Sequence, residues 1–188
     1  METNWKDILD QSIRDVEELR KNLALTEDEA QQMGRIIQRY PLCVNPYYLS
    51  LIDRDDPNDP IRKMCIPDIH EFSEGGQADT SGEADNTVLQ GMQHKYRQTA
   101  LILSTNQCAM YCRHCFRKRM VGASSDEVAR QMPAMAEYVR QHTEINNVLI
   151  SGGDSFMNAD ETIEKYLRCF TEIPTLDFIR FGTRIPVV

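Results

Sequence analysis

The spacing of apolar residues divides the chain into two patterns. From Trp5 to Leu19, apolar side chains recur every three or four positions (Trp5, Ile8, Leu9, Ile13, Val16, Leu19). That period predicts one helix with a single buried stripe. Thr26 followed by Glu29 is a capping box, which predicts a second helix with Ala30, Met33, Ile36 and Ile37 inward. Pro41 ends it. In "NPYYLSLID" and "DPIRKMC" an N-cap residue, Asn45 or Asp59, precedes a proline, Pro46 or Pro60, and each pair predicts a short helix. Residues 73–87, "SEGGQADTSGEADNT", are acidic and aperiodic, as expected of a linker or mobile loop.

Beyond the linker, strands and helices alternate. "TALILST" (99–105), "NNVLI" (146–150) and "LDFIRFG" (176–182) are short apolar runs of strand length. Between them, "SSDEVARQMPAMAEYVRQH" predicts a helix that starts at a Ser124/Glu127 capping box, with Pro133 kinking or restarting it. Asn158 is the expected cap of a further helix with Ile163, Tyr166, Leu167 and Phe170 inward. This βαβαβ order predicts an α/β fold with parallel strands and right-handed crossovers. The expected organisation is a helical region over 1–72, a linker over 73–87 and an α/β core over 88–188. In such sheets ligands gather at the carboxyl ends of strands. A cysteine-bearing loop, "SGGD" and "GTR" each follow one of the three strands, so all three are expected on one rim.

Composition narrows the class. Hydrophobic residues are 41% and charged residues 27% of the 188 positions, a globular balance. A net charge of −8 argues against nonspecific binding to nucleic acid or anionic membranes. No apolar run reaches the ~18 residues of a membrane span, and "METNWKDILDQ" has no secretory pattern. A cytoplasmic protein is expected. Six cysteines without an export signal do not suggest a disulfide framework; Cys43, Cys65 and Cys169 sit among apolar neighbours and read as small buried hydrophobes.

The remaining three, Cys108, Cys112 and Cys115 in "STNQCAMYCRHCFRKRM", have a C-x3-C-x2-C spacing. Zinc would need a fourth ligand, His114 or His94, and an iron–sulfur cluster held wholly by protein needs four cysteines. Three thiolates can instead hold three irons of a 4Fe–4S cube and leave the fourth open to a small molecule. The run Arg113, Arg117, Lys118, Arg119 follows at once; alone it would be a solvated face. Gly152 and Gly153, with Asp154, permit close backbone approach, and their N–H groups suit an anion or zwitterion. A plain strand-to-helix turn is the alternative.

The three-cysteine spacing after the first strand, with Tyr111 before the second cysteine, resembles the radical S-adenosylmethionine (SAM) enzymes. The blocks "NPYYLSLIDRDDPNDPIRKMCIPD", "HKYRQTALILSTNQCAMYCRHCFRKRMVG", "NNVLISGGDSF" and "IRFGTRIPVV" resemble, in order, the lysine 2,3-aminomutase family. The resemblance implies the first part of a partial (β/α) barrel. It also implies an isomerase in which SAM, cleaved at a 4Fe–4S cluster to a 5'-deoxyadenosyl radical, drives a 1,2-amino shift dependent on pyridoxal 5'-phosphate (PLP). By position it implies Cys108, Cys112 and Cys115 as cluster ligands, Gly152, Gly153 and Asp154 at SAM, Arg117 on the substrate carboxylate, and Lys95 and Tyr96 at PLP. Thr99 stands where a second phosphate-binding cation is expected. Lysine is the default substrate by family frequency, with glutamate, arginine or a protein-bound lysine as alternatives. A one-electron reductant is the expected partner. The chain stops after the third expected strand, whereas a full barrel takes about 250 residues. The PLP lysine and the substrate-selecting carboxylates are therefore expected outside it, supplied by a second chain or a longer product. A non-catalytic remnant or an iron–sulfur interaction module is the competing expectation.

Overall fold

The computed structural model describes residues 4–73, 75–77 and 79–188. Met1–Thr3 of the expected helical start, and Glu74 and Ala78 of the expected linker, lie outside the described residues. The chain forms two compact units: residues 1–77, 108–123 and 187–188 make one, and residues 78–107 and 124–186 the other.

The first unit is helical: α1 (Trp5–Asp10), α2 (Val16–Asn22), α3 (Glu27–Arg39), α4 (Pro46–Ser50) and α5 (Pro60–Cys65), then a 3-10 turn over Ile69–Phe72. The predicted caps are present. Thr26 and Glu29 form the reciprocal capping box of α3, and the Asn45 and Asp59 side chains accept from Tyr48 N and Arg62 N behind Pro46 and Pro60. The single helix expected from Trp5 to Leu19 is two helices. Asp15 caps α2 by accepting from Glu18 N at 2.8 Å. Ile13 between them exchanges backbone hydrogen bonds with Val44 at 2.8 and 3.1 Å. A long-range bridge thus breaks a locally continuous stripe, and Trp5 is left exposed. The core of this unit gathers Leu19, Leu42, Val44, Leu49, Cys65 and Met110, each buried aliphatic side chain contributing about 1.5–3 kcal/mol.

The second unit is an open five-stranded sheet, ordered β1 (Thr87–Leu89), β2 (Met92–Tyr96), β3 (Thr99–Thr105), β4 (Asn147–Gly152), β5 (Phe178–Phe181). The three predicted strands β3, β4 and β5 pair in parallel. Two further strands, β1 and β2, add an antiparallel hairpin region beside β3. They escape a reading of periodicity because "TVL" is too short and β2 carries Gln93, His94 and Lys95. The second half of the expected linker is ordered: Asp79 accepts from Glu83 N and Ala84 N, both at 2.8 Å. This starts the one-turn helix α6 (Glu83–Asn86), in which Glu83 is buried.

Two helices, α7 (Met132–Gln141) and α8 (Asp160–Thr171), pack on the face of the sheet that bears Ala100, Ile102, Val148 and Ile150; Met135, Val139, Tyr166 and Phe170 complete that core. Two helix starts differ from expectation. α7 begins at Met132, not Ser124: Pro133 lacks an N–H and would clash with the carbonyl of residue 129 in a continuing helix. Ala129 N instead donates to Leu103 O of β3 at 2.8 Å. The Ser124 hydroxyl accepts from Asp126 N, closing a turn. α8 is capped at Ala159, because the Asn158 amide donates to Ser104 Oγ and Ser155 O. Leu167 is exposed rather than inward.

Candidate cluster and cofactor site

The cysteine segment is without helix or strand from 106 to 131. Residues 108–123 of it belong to the helical unit. Backbone bonds fix it there: Tyr111 N donates to Cys43 O at 2.9 Å and Arg113 N to Met64 O at 2.8 Å. The Cys43 thiol also donates to Ala109 O. Buried Ala109, Met110 and Tyr111 fill that unit's interior. Gly122 ends the segment at φ +68°, and a Cβ there would lie 2.3 Å from the Tyr111 ring. Only glycine fits the turn that closes over Tyr111.

Cys108, Cys112 and Cys115 are each partly exposed and in no disulfide. Cys115 N donates to Cys112 O at 3.1 Å, so the last two are joined by a tight turn. Burial pushes the Cys115 thiol up, against a hydrogen bond from the Arg117 backbone and the charges of Arg117 and Lys118. A metal displaces that proton on binding. Among the described residues, no three Cys, His, Asp or Glu side chains converge as a ready metal cage. The other cysteines suit a different role. Burial pushes Cys65 up to about 12, with Asp59 and Cys112 adding to it, and burial likewise raises Cys43. Both remain protonated packing residues. Cys169 is only partly buried, at the edge of the sheet core. His94, one possible zinc ligand, has both ring nitrogens engaged, with Tyr138 Oη at 3.0 Å and Arg97 O at 3.1 Å.

The basic run does not act as one anion-binding patch. Arg113 is buried and donates through Nε and Nη2 to the Glu71 carboxylate at 2.9 and 2.6 Å, and to the carbonyls of Pro41 and Tyr40. Lys118 Nζ donates to Glu71 Oε2 at 2.7 Å. Burial works to raise Glu71, but these hydrogen bonds and the Arg113 charge outweigh it and hold the carboxyl below its usual range. Two of the four cations are therefore structural. Arg117 is buried, with its guanidinium 4.5 Å from the centre of the exposed Phe116 ring. Locally Glu71 carries only a capping-box signal, paired with Asp68 at the 3-10 turn. Its ion pair spans 42 residues of sequence, beyond any local signal.

In the sheet unit, the carboxyl ends of β3, β4 and β5 are stitched together. Gly153 N donates to Thr105 O at 2.6 Å and Asp154 N to Gln107 O at 2.7 Å. A Cβ on Gly153 would lie 2.2 Å from Gln107 O, and Gly152 has φ +119°. Close approach to the Thr105 and Gln107 backbone is thus the reason for the glycine pair. The Gly153 and Asp154 N–H groups, however, already serve those carbonyls and do not face an anion. Asp154 is buried: Oδ1 caps Ser155–Met157 through Phe156 N, and Oδ2 accepts from Arg184 N and Ile185 N. "SGGD" and "GTR" are therefore one constellation. Lys95 and Tyr96 lie at the opposite end of β3, before the Arg97–Gln98 turn. Seven strand residues, about 20 Å, separate them from that rim. Lys95 Nζ donates to Ser81 O at 2.6 Å, and Tyr96 is exposed.

A family model described as a 4Fe–4S single cluster domain matches residues 96–183. L-lysine 2,3-aminomutase of Acetoanaerobium sticklandii is 38% identical over 98% of the chain and 45% of its own length. The chain belongs to the lysine 2,3-aminomutase family. The L-lysine 2,3-aminomutase of Clostridium subterminale is 37% identical over 98% of the chain and 45% of its own length. The glutamate 2,3-aminomutase of Clostridioides difficile is 36% identical over 96% and 43%. The chain thus spans less than half the length of these curated relatives, and it carries the iron–sulfur portion of the family. No helix among the described residues is long and apolar enough to cross a membrane.

Proposed function

We propose that the chain forms the SAM-cleaving part of an amino-acid 2,3-aminomutase, with lysine as substrate. What carries the reading is the set of three partly exposed thiols on a backbone-anchored segment inside a matched 4Fe–4S domain. The donor chemistry fits a cluster with three protein ligands. Cys108, Cys112 and Cys115 would hold it, and when bound it supplies the electron that breaks a carbon–sulfur bond of SAM. The anchors to Cys43 and Met64 keep the thiols in position. The Arg117 N–H directed at Cys115 stabilises the sulfur's negative charge.

At the strand ends, Gly152 and Gly153 with Asp154 would border SAM. Because the Gly153 and Asp154 N–H groups are engaged, backbone carbonyls rather than these N–H groups would be left to meet the ammonium of its methionine part. Arg117, with a planar bidentate guanidinium, would hold a substrate carboxylate. The resemblance also assigns Lys95 and Tyr96 to PLP, but they lie at the far end of β3 from these strand ends, about 20 Å away, and Lys95 Nζ already donates to Ser81 O. Thr99 adds no charge, and its hydroxyl already accepts from Asn147 at 3.0 Å. The PLP phosphate site is therefore incomplete in these residues. A one-electron reductant is the required partner, and a cytoplasmic location suits oxygen-sensitive chemistry.

The test is anaerobic reconstitution with iron and sulfide, followed by EPR of the reduced protein with and without SAM and measurement of 5'-deoxyadenosine. A 4Fe–4S signal that changes with SAM, with release of the nucleoside, is expected. Failure to form a cluster, or a cluster indifferent to SAM, would sink the reading.

A further inference from the structure

The helical unit holds a cavity of about 750 Å³, within the 300–1,000 Å³ range of small-molecule sites. It is lined by residues of α3, of α5 and of the turn that follows, together with Arg113, His114 and Lys118. Its apolar lining includes buried Met33, Ile36 and Ile66. Its charges are unusual for a chain of net charge −8: Arg62, Lys63, Arg113 and Lys118 face Glu29, Asp68 and Glu71.

Every carboxylate of the lining is already engaged. Glu29 accepts from Thr26 N and Oγ1 at 2.8 and 2.7 Å. Asp68 accepts from His70 N at 2.9 Å, and Glu71 binds Arg113 and Lys118. Among the cations, Lys63 Nζ donates to Asn58 Oδ1. Arg62 is the exception. It is half-buried, and its guanidinium makes no hydrogen bond or ion pair among the described residues; Glu29 only feels its charge. A partly desolvated cation without a hydrogen-bonding partner is costly to maintain. The His114 ring, also on the lining, has no hydrogen bond among the described residues.

We infer that this cavity is a binding site for a small organic anion. Its carboxylate or phosphate pairs with Arg62, and its apolar body rests on Met33, Ile66 and the exposed Ile69. The site is separate from the cysteines' role and does not depend on a cluster.

Calorimetric titration of the chain, with and without reconstituted iron, tests it with three probes: benzoate, phenyl phosphate and neutral benzyl alcohol. One or both anions are expected to bind, with benzyl alcohol at least about tenfold weaker, and the tighter anion identifies the headgroup chemistry. Arg62→Ala is expected to weaken binding at least about tenfold, the loss of one charge-assisted bond. Arg62→Lys should retain part of it and covers the case in which the alanine variant misfolds. Amide NMR shifts in the wild-type chain should centre on residues 62–70 and 114. Undiminished binding in Arg62→Ala, equal binding of the alcohol, no binding of either anion, or shifts centred elsewhere would each overturn the inference.

Discussion

Glu71 and Arg113 form a bidentate ion pair whose side chains are 8% and 5% exposed, and through it the segment carrying the cysteines is locked to the end of the helical region. Breaking a buried pair by removing one partner is costly because the other charge stays buried. Arg113 lies between Cys112 and His114, so its position sets the backbone between two of the thiols.

Glu71→Ala is therefore expected to destabilise the helical unit by about 3–5 kcal/mol, measured by urea unfolding. It should also lower the iron retained after anaerobic reconstitution. Wild-type stability together with wild-type iron content would show that the pair is incidental.

The same carboxyl predicts an acid-sensitive fold. Glu71 is held below its usual range, so the folded state binds its proton more weakly than the unfolded state. The stabilisation is present above the ordinary carboxylate pKa and is lost as pH falls through the lower folded value. Urea midpoints of the apo chain measured from pH 7 downward should decline below the ordinary carboxylate range, and Glu71→Gln should flatten that decline. A variant with the wild-type slope would assign the acid sensitivity to other groups.

Iron content should separate the two classes of cysteine. Alanine at Cys108, Cys112 or Cys115 is expected to abolish a stable 4Fe–4S absorbance and EPR signal. Alanine at Cys43 or Cys65 should cost stability through lost packing and leave the cluster intact. Cluster loss from Cys65→Ala at unchanged folding would reassign the ligands.

Gly152→Ala and Gly153→Ala test the stitching of the strand ends. The backbone at Gly152, φ +119°, costs a residue with a Cβ about 1–3 kcal/mol. At Gly153 the new atom meets the Gln107 carbonyl oxygen and must displace the β3 exit. Both variants should melt earlier than wild type, and reconstituted protein should show a weaker EPR response to SAM. Unchanged melting would mean that the turn relaxes freely.

Features that depend on neighbours along the chain are legible in the residue order. The Thr26–Glu29 capping box, the Asn45–Pro46 and Asp59–Pro60 starts, the three parallel strands and the cysteine spacing are local patterns, because caps, prolines and periodicity act within a few residues. The ordered blocks around Cys108–Cys115 and Gly152–Asp154 also carried the family. Long-range partners set the rest. The Ile13–Val44 bridge split one apparent helix into two, and Ala129 bonding to Leu103 with Pro133 beside it moved the start of α7. Glu71 claimed Arg113 and Lys118 from what reads as a basic patch, while Thr105 and Gln107 claimed the N–H groups of the glycine turn. Each of these turns on which partner reaches a charge or a backbone group first, and those partners lie tens of residues away.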